Sequence, residues 1–138
     1  MRVTLSPDYR PSEGEDFMNP LQLEFFRQRL LNWKAELVRE AGETLSHLTQ
    51  GNLQQPDMAD RASLETDHQI ELRTRDRERK LISKIDAALG RIEDGSYGYC
   101  EETDEPIGLG RLMARPIATM SLEAQERHER LERTQRED

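Results

Sequence analysis

Cysteine is nearly absent: Cys100 stands alone in the chain. One thiol excludes an intramolecular disulfide and argues against a zinc site built from several thiolates, so no structural zinc is expected. Aromatic residues reach only 5%, and hydrophobic residues make up 34% against 35% charged. Any globular core is therefore small, and much of the chain faces water. No apolar run approaches the roughly 20 residues of a membrane span, and the opening MRVTLSPDYRPSEGED carries no apolar stretch of the signal-peptide kind. The cytoplasm is the expected location. Positive charge is in deficit too, with 20 Lys and Arg against 28 Asp and Glu for a net charge of -8. That balance disfavours direct binding to DNA or to anionic membranes and points to a protein partner. Enzyme hallmarks are also lacking. There is no Ser/His/Asp ordering and no glycine-rich phosphate loop, and His47, His68 and His128 show no metal-ligand spacing.

What the chain does have is helical periodicity. Residues 1–18, with Pro7, Pro11 and Gly14, read as an extended lead-in. Asn19 as N-cap, Pro20 at the first helical position and Gln22 at the third then form a start signal, because Asn and Gln side chains take up backbone N–H groups that lack a helical partner. Leu23, Phe26, Leu30, Trp33, Leu37, Ala41, Leu45 and Leu48 recur three or four apart, one apolar stripe on a helix of roughly 45 Å that ends near Gly51. After a break at Gly51–Pro56, a second helix runs from about Asp57 to Glu93. Its stripe of Leu81, Ile85, Ala88 and Ile92 faces Phe26 and Leu23 in an antiparallel pair. Towards the tip that stripe degrades to Ser63, Asp67, Ile70, Thr74 and Glu78, so the distal seam buries less apolar surface. The fold class is thus mainly α. A long antiparallel coiled-coil hairpin over 19–95 has its tip at 51–62, a small head follows over 96–120, with Tyr97, Tyr99, Ile107, Leu109, Leu112, Met113, Ile117 and Met120 on a short β-hairpin and a helical turn, and a C-terminal helix spans 121–138. Glu–Arg pairs at i,i+4 (Glu123–Arg127, Glu126–Arg130, Glu129–Arg133, Glu132–Arg136) support the last helix.

Three features could carry chemistry. At the tip, Pro56 to Ala62, Asp57 and Asp60 suit a helix start, where carboxylates complement the dipole. The same two carboxylates at the far end of a rod could equally meet a metal or a basic residue in a deep cleft. On the second helix Arg73, Arg77, Lys80 and Lys84 share one face. Such a row is either a solvated face neutralised by Glu71, Asp76 and Glu78 or a site for an anion. In the head, Cys100 lies beside Glu101, Glu102 and Asp104, a neighbourhood that opposes thiolate formation.

The segments DFMNPLQLEFFRQRLLNWKAEL, PDMADRA, ELRTRDRERKLISKID and DGSYGYCEETDEPIGLGRLMARP occur in that order, and together, over residues 16 to 136, they resemble the DksA/TraR family of bacterial RNA polymerase accessory factors. The resemblance implies a monomeric transcription regulator that binds polymerase without touching DNA. Its coiled coil would enter the secondary channel and modulate open-complex stability, repressing ribosomal RNA promoters and activating biosynthetic ones in the stringent response. Asp57, Asp60 and Ala62 match the family's Asp-x-x-Asp-x-Ala tip. Arg77, Lys80, Leu81 and Lys84 match the coiled-coil base that engages polymerase and the alarmone ppGpp. Of the family's four zinc cysteines only the first is kept, as Cys100, with Thr103, Ser121 and Ala124 at the other three positions. That pattern resembles a cysteine-poor branch that works without zinc. Gln125 replaces a basic residue used for ppGpp. Two other classes stay open: a transcript-cleavage factor acting through the same channel, and a coiled-coil adaptor with no polymerase role.

Overall fold

The computed structural model describes the backbone over residues 2–53 and 58–137, and the side chains over 2–43 and 65–135. Among the described residues there are four helices, α1 (Pro20–Leu53), α2 (Met58–Asp94), α3 (Leu109–Ala114) and α4 (Leu122–Glu137), and one isolated antiparallel bridge, Tyr99 to Pro106. The chain divides into two compact units. One gathers both ends, Met1–Leu30 with Ala87–Asp138, and the other is the intervening Leu31–Asp86.

In the first unit, α1 starts where the capping chemistry dictates. Asn19 Oδ1 accepts hydrogen bonds from the N–H groups of Leu21 (2.9 Å) and Gln22 (3.1 Å). Gln22 reaches back to the N–H of Met18 (2.8 Å) and donates to the Ser12 carbonyl (3.2 Å), so this buried amide ties the lead-in to the helix. The lead-in has turns of its own. Tyr9 donates to Glu15 (2.9 Å) and lays its ring edge-on to Phe25. At its other end, α2 closes on Gly95 (φ 84°), with Ser96 and Tyr97 N–H groups returning to the Arg91 carbonyl. The core then assembles from Phe26, Leu30, Ala88, Tyr97, Cys100, Ile107, Leu112, Ile117 and Ala124, all buried. The expected β-hairpin of the head is reduced to the single bridge at Tyr99, backed by Cys100 N–H to the Glu105 carbonyl (2.8 Å) and Ile107 N–H to the Gly98 carbonyl (2.7 Å).

The second unit is a stretch of α1 against a stretch of α2. Leu37 and Ile85 are buried within it, and Lys34 pairs with Asp86 at 2.7 Å. Counting back from Ile85 by heptads, the seam passes through Glu78, which is buried, and Glu71, which is half-buried. Ile70, expected on the seam, is 56% exposed instead, because a seven-residue repeat from Ile85 falls one position beyond it.

Candidate functional site

The basic row lies on the surface of α2. Arg73, Arg77, Lys80 and Lys84 are all exposed on α2, with Leu81 half-buried beside them. Of the three carboxylates that could have neutralised the row, Asp76 pairs with Arg79 (3.3 Å), Glu78 turns into the seam, and Glu71 is half-buried. Among the described residues no ion pair engages any of the four cations. Four free charges on one helix face make a strip suited to an anionic ligand or an acidic protein surface.

The tip is only partly in view. Asp57 lies outside the described residues; Asp60 and Ala62 fall within the opening turns of α2 by backbone, and their side chains lie outside the described set.

In the head, Thr103 and Ser121 come together on Cys100. Burial pushes its thiol up, but the Thr103 hydroxyl and the N–H groups of Ser121, Glu102 and Thr103 outweigh burial and bring it down from 9.0 to about 7. The acidic neighbours in sequence suggested the opposite, yet what decides the thiol is which groups aim at the sulfur. Ser121 Oγ accepts the N–H of Ala124 (3.2 Å) and so caps α4, while Ala124 is buried in the core. Gln125 is half-buried and donates to Glu129 (3.2 Å).

Periodicity and motif matching missed several charged features. The buried Glu78 leaves Oε2 without a hydrogen-bond partner; its place in the heptad was the available signal. His128 is paired with Glu102, a contact from α4 to the loop after Cys100 that no spacing rule reveals. By contrast, none of the pairs Glu123–Arg127, Glu126–Arg130 and Glu129–Arg133 closes to an ion pair among the described residues, so α4 is held by Ala124 and the His128 contact. A groove of about 360 Å³ opens between Arg2, Val3, Pro20, Leu23, Glu24, Arg27, Ile92 and Glu93. Its charges are already matched: Arg27 grips Glu24 through two nitrogens (2.8 and 2.9 Å), and Arg2 lies 3.8 Å from Glu93.

Comparison with known proteins places this geometry. Residues 22–92 match the profile of the DnaK suppressor protein DksA, N-terminal domain, and residues 95–130 match the prokaryotic dksA/traR C4-type zinc finger. The chain is 70% identical over 131 residues to the RNA polymerase-binding transcription factor DksA of Caulobacter vibrioides, covering 95% of this chain and 92% of the relative. It is 43% identical over 115 residues to the protein of the same name from Escherichia coli K12, covering 83% and 76%. Among solved structures, transcription factor DksA2 from Pseudomonas aeruginosa superposes with a TM-score of 0.81 at 44% identity, covering 90% of this chain and 94% of that one. The zinc-finger match overturns the expectation that zinc has no place in this protein: counting cysteines weighed the donors alone, whereas the match runs across the whole scaffold of residues 95–130. The donor set itself holds one thiol. Thr103 bonds that thiol, Ser121 caps a helix and Ala124 has no donor atom. These residues do not make a four-thiolate site.

Proposed function

The chain belongs to the DksA family, and from that membership we propose that it is a transcription factor that binds RNA polymerase directly, as the names of its Caulobacter and Escherichia relatives state of them. The observation that carries the reading to this chain is the unpaired cationic strip of Arg73, Arg77, Lys80 and Lys84 in a protein of net charge -8. Like charges spaced three and four apart on one helix face repel each other at a small local cost. A partner of opposite charge removes that cost.

In this reading the hairpin end with Asp57, Asp60 and Ala62 enters the secondary channel of polymerase and acts on the open complex. Arg77, Lys80, Leu81 and Lys84 meet polymerase and ppGpp at the base of the coiled coil. The protein acts by binding and carries out no reaction of its own. Guanidinium and ammonium groups on one face suit a phosphate-rich ligand. With Gln125 contributing no charge, the ppGpp response is smaller than a basic residue there would give.

Transcription in vitro from a ribosomal RNA promoter tests the proposal, with polymerase binding measured alongside. Asp60→Asn keeps side-chain shape and removes the tip charge, so it is expected to bind polymerase as wild type does and to lose inhibition. Equal inhibition by wild type and variant would reduce Asp60 to a helix-start residue. RNA cleavage in stalled complexes would point instead to a cleavage factor, and failure to compete with secondary-channel ligands to an adaptor.

A further inference from the structure

The groove of the first unit combines an apolar lining with charges of both signs. Val3 of the lead-in, Leu23 of α1 and Ile92 of α2 supply aliphatic surface, each half-buried, and Pro20 adds the first residue of α1. Arg2, Glu24, Arg27 and Glu93 line the same groove. Its volume of about 360 Å³ falls within the range of small-molecule sites.

The four charges form two pairs of different character. Glu24 and Arg27 are the buried pair, with side chains 8% and 16% exposed and two hydrogen bonds of 2.8 and 2.9 Å between them. Those bonds hold Glu24 below the ordinary carboxylate range, so the pair is ionised at neutral pH. Arg2 and Glu93 are the loose pair. They stand 3.8 Å apart, beyond hydrogen-bond reach, and both side chains are about two-thirds exposed, which opens the groove to solvent here. An exposed pair at that distance contributes little to stability, so each member can take a new partner at small cost.

The balance of charge selects the occupant. With two cations and two carboxylates the lining is neutral, and a ligand of single charge would match one member of a pair while opposing the other. A ligand whose opposite charges lie side by side matches both. Its carboxylate suits the guanidinium of Arg2 and its ammonium suits the carboxylate of Glu93, while a hydrocarbon side chain gains by leaving water for the aliphatic lining. We propose that this groove binds a free aliphatic amino acid, held by its two charges at Arg2 and Glu93 and by its side chain against Val3, Leu23 and Ile92. None of these residues belongs to the basic row of α2, so the site is independent of the polymerase reading.

The test is a titration of the full-length protein, labelled with 15N, with L-leucine at constant pH and ionic strength. The amide signals of Val3, Leu23, Ile92 and Glu93 are expected to shift saturably. Three partial ligands dissect the match: glycine lacks the side chain, 4-methylpentanoate lacks the ammonium and 3-methylbutylamine lacks the carboxylate. Each should bind at least about tenfold more weakly than leucine. Arg2→Ala and Glu93→Gln each remove one charge from an exposed pair, so the fold should persist and leucine binding should weaken by about tenfold. Absence of a saturable shift in wild type overturns the site. So does a partial ligand that binds as tightly as leucine, or wild-type affinity in both variants. If a variant does not fold, the wild-type titrations with the four ligands decide by themselves.

Discussion

At the scale of single residues, Cys100 and Gly98 show how local geometry decides chemistry. The Cys100 thiol titrates near 7 in the folded protein and near 9.0 without its surroundings. Between those values the unfolded chain binds more protons, so stability rises with pH across that window and the contribution is lost as pH falls through 7. Urea unfolding at pH 7 and pH 9 should show this rise, and Cys100→Ser should remove its share. Thr103→Val takes away the hydroxyl that assists the thiolate, and the midpoint read from the Cys100 13Cβ shift should move up. Gly98 has φ 94°, and a Cβ there would stand 2.8 Å from Met18 Cγ. Gly98→Ala is expected to cost about 1–3 kcal/mol, read as a lower thermal midpoint. Adding Met18→Ala should recover only part of the loss, since the backbone strain persists without the clash.

At the scale of elements, the seam of the second unit carries the most informative irregularity. Glu78 is buried on α2 one heptad before Ile85, with one carboxylate oxygen unmatched. Glu78→Leu should therefore stabilise the protein by about 1–3 kcal/mol, measured by denaturant unfolding with an unchanged slope. A loss of stability would mean that the carboxylate has a seam partner. The helices themselves were legible in the sequence because their signals are local: Asn19, Pro20 and Gln22 start α1, the Leu23 to Leu37 spacing fixes its inner face, and Gly95 ends α2. The degraded seam was visible too, though displaced by one residue at Ile70. Other features depend on pairings across the fold that no local pattern encodes. Whether N–H groups point at a sulfur, whether Glu123 closes on Arg127, and whether His128 meets Glu102 are all of this kind. The basic row was read correctly as one face, but that it goes unpaired emerged only once Asp76 was seen with Arg79 and Glu78 in the seam. The tip carboxylate Asp57 lies outside the described residues, so its place rests on the motif alone.

At the scale of the whole molecule, net charge and its local reversal act together. A charge of -8 repels nucleic acid, while the α2 strip attracts acidic or phosphorylated surfaces at short range. Polymerase affinity is expected to fall as salt rises, with a shallower dependence in an Arg77→Ala, Lys84→Ala double variant. Duplex DNA at physiological salt should give no change in fluorescence anisotropy with either protein. The composition of the first unit has a further consequence, for synthesis on the ribosome. That unit joins Met1–Leu30 to Ala87–Asp138, so its lead-in and the opening of α1 wait for the last stretch of chain to be made. The intervening Leu31–Asp86 joins segments nearer in sequence and can pair first. Translation that stops before the head is made would leave Phe26 and Leu30 without the Tyr97 side of their core, an exposed apolar face of the kind that chaperones and proteases recognise.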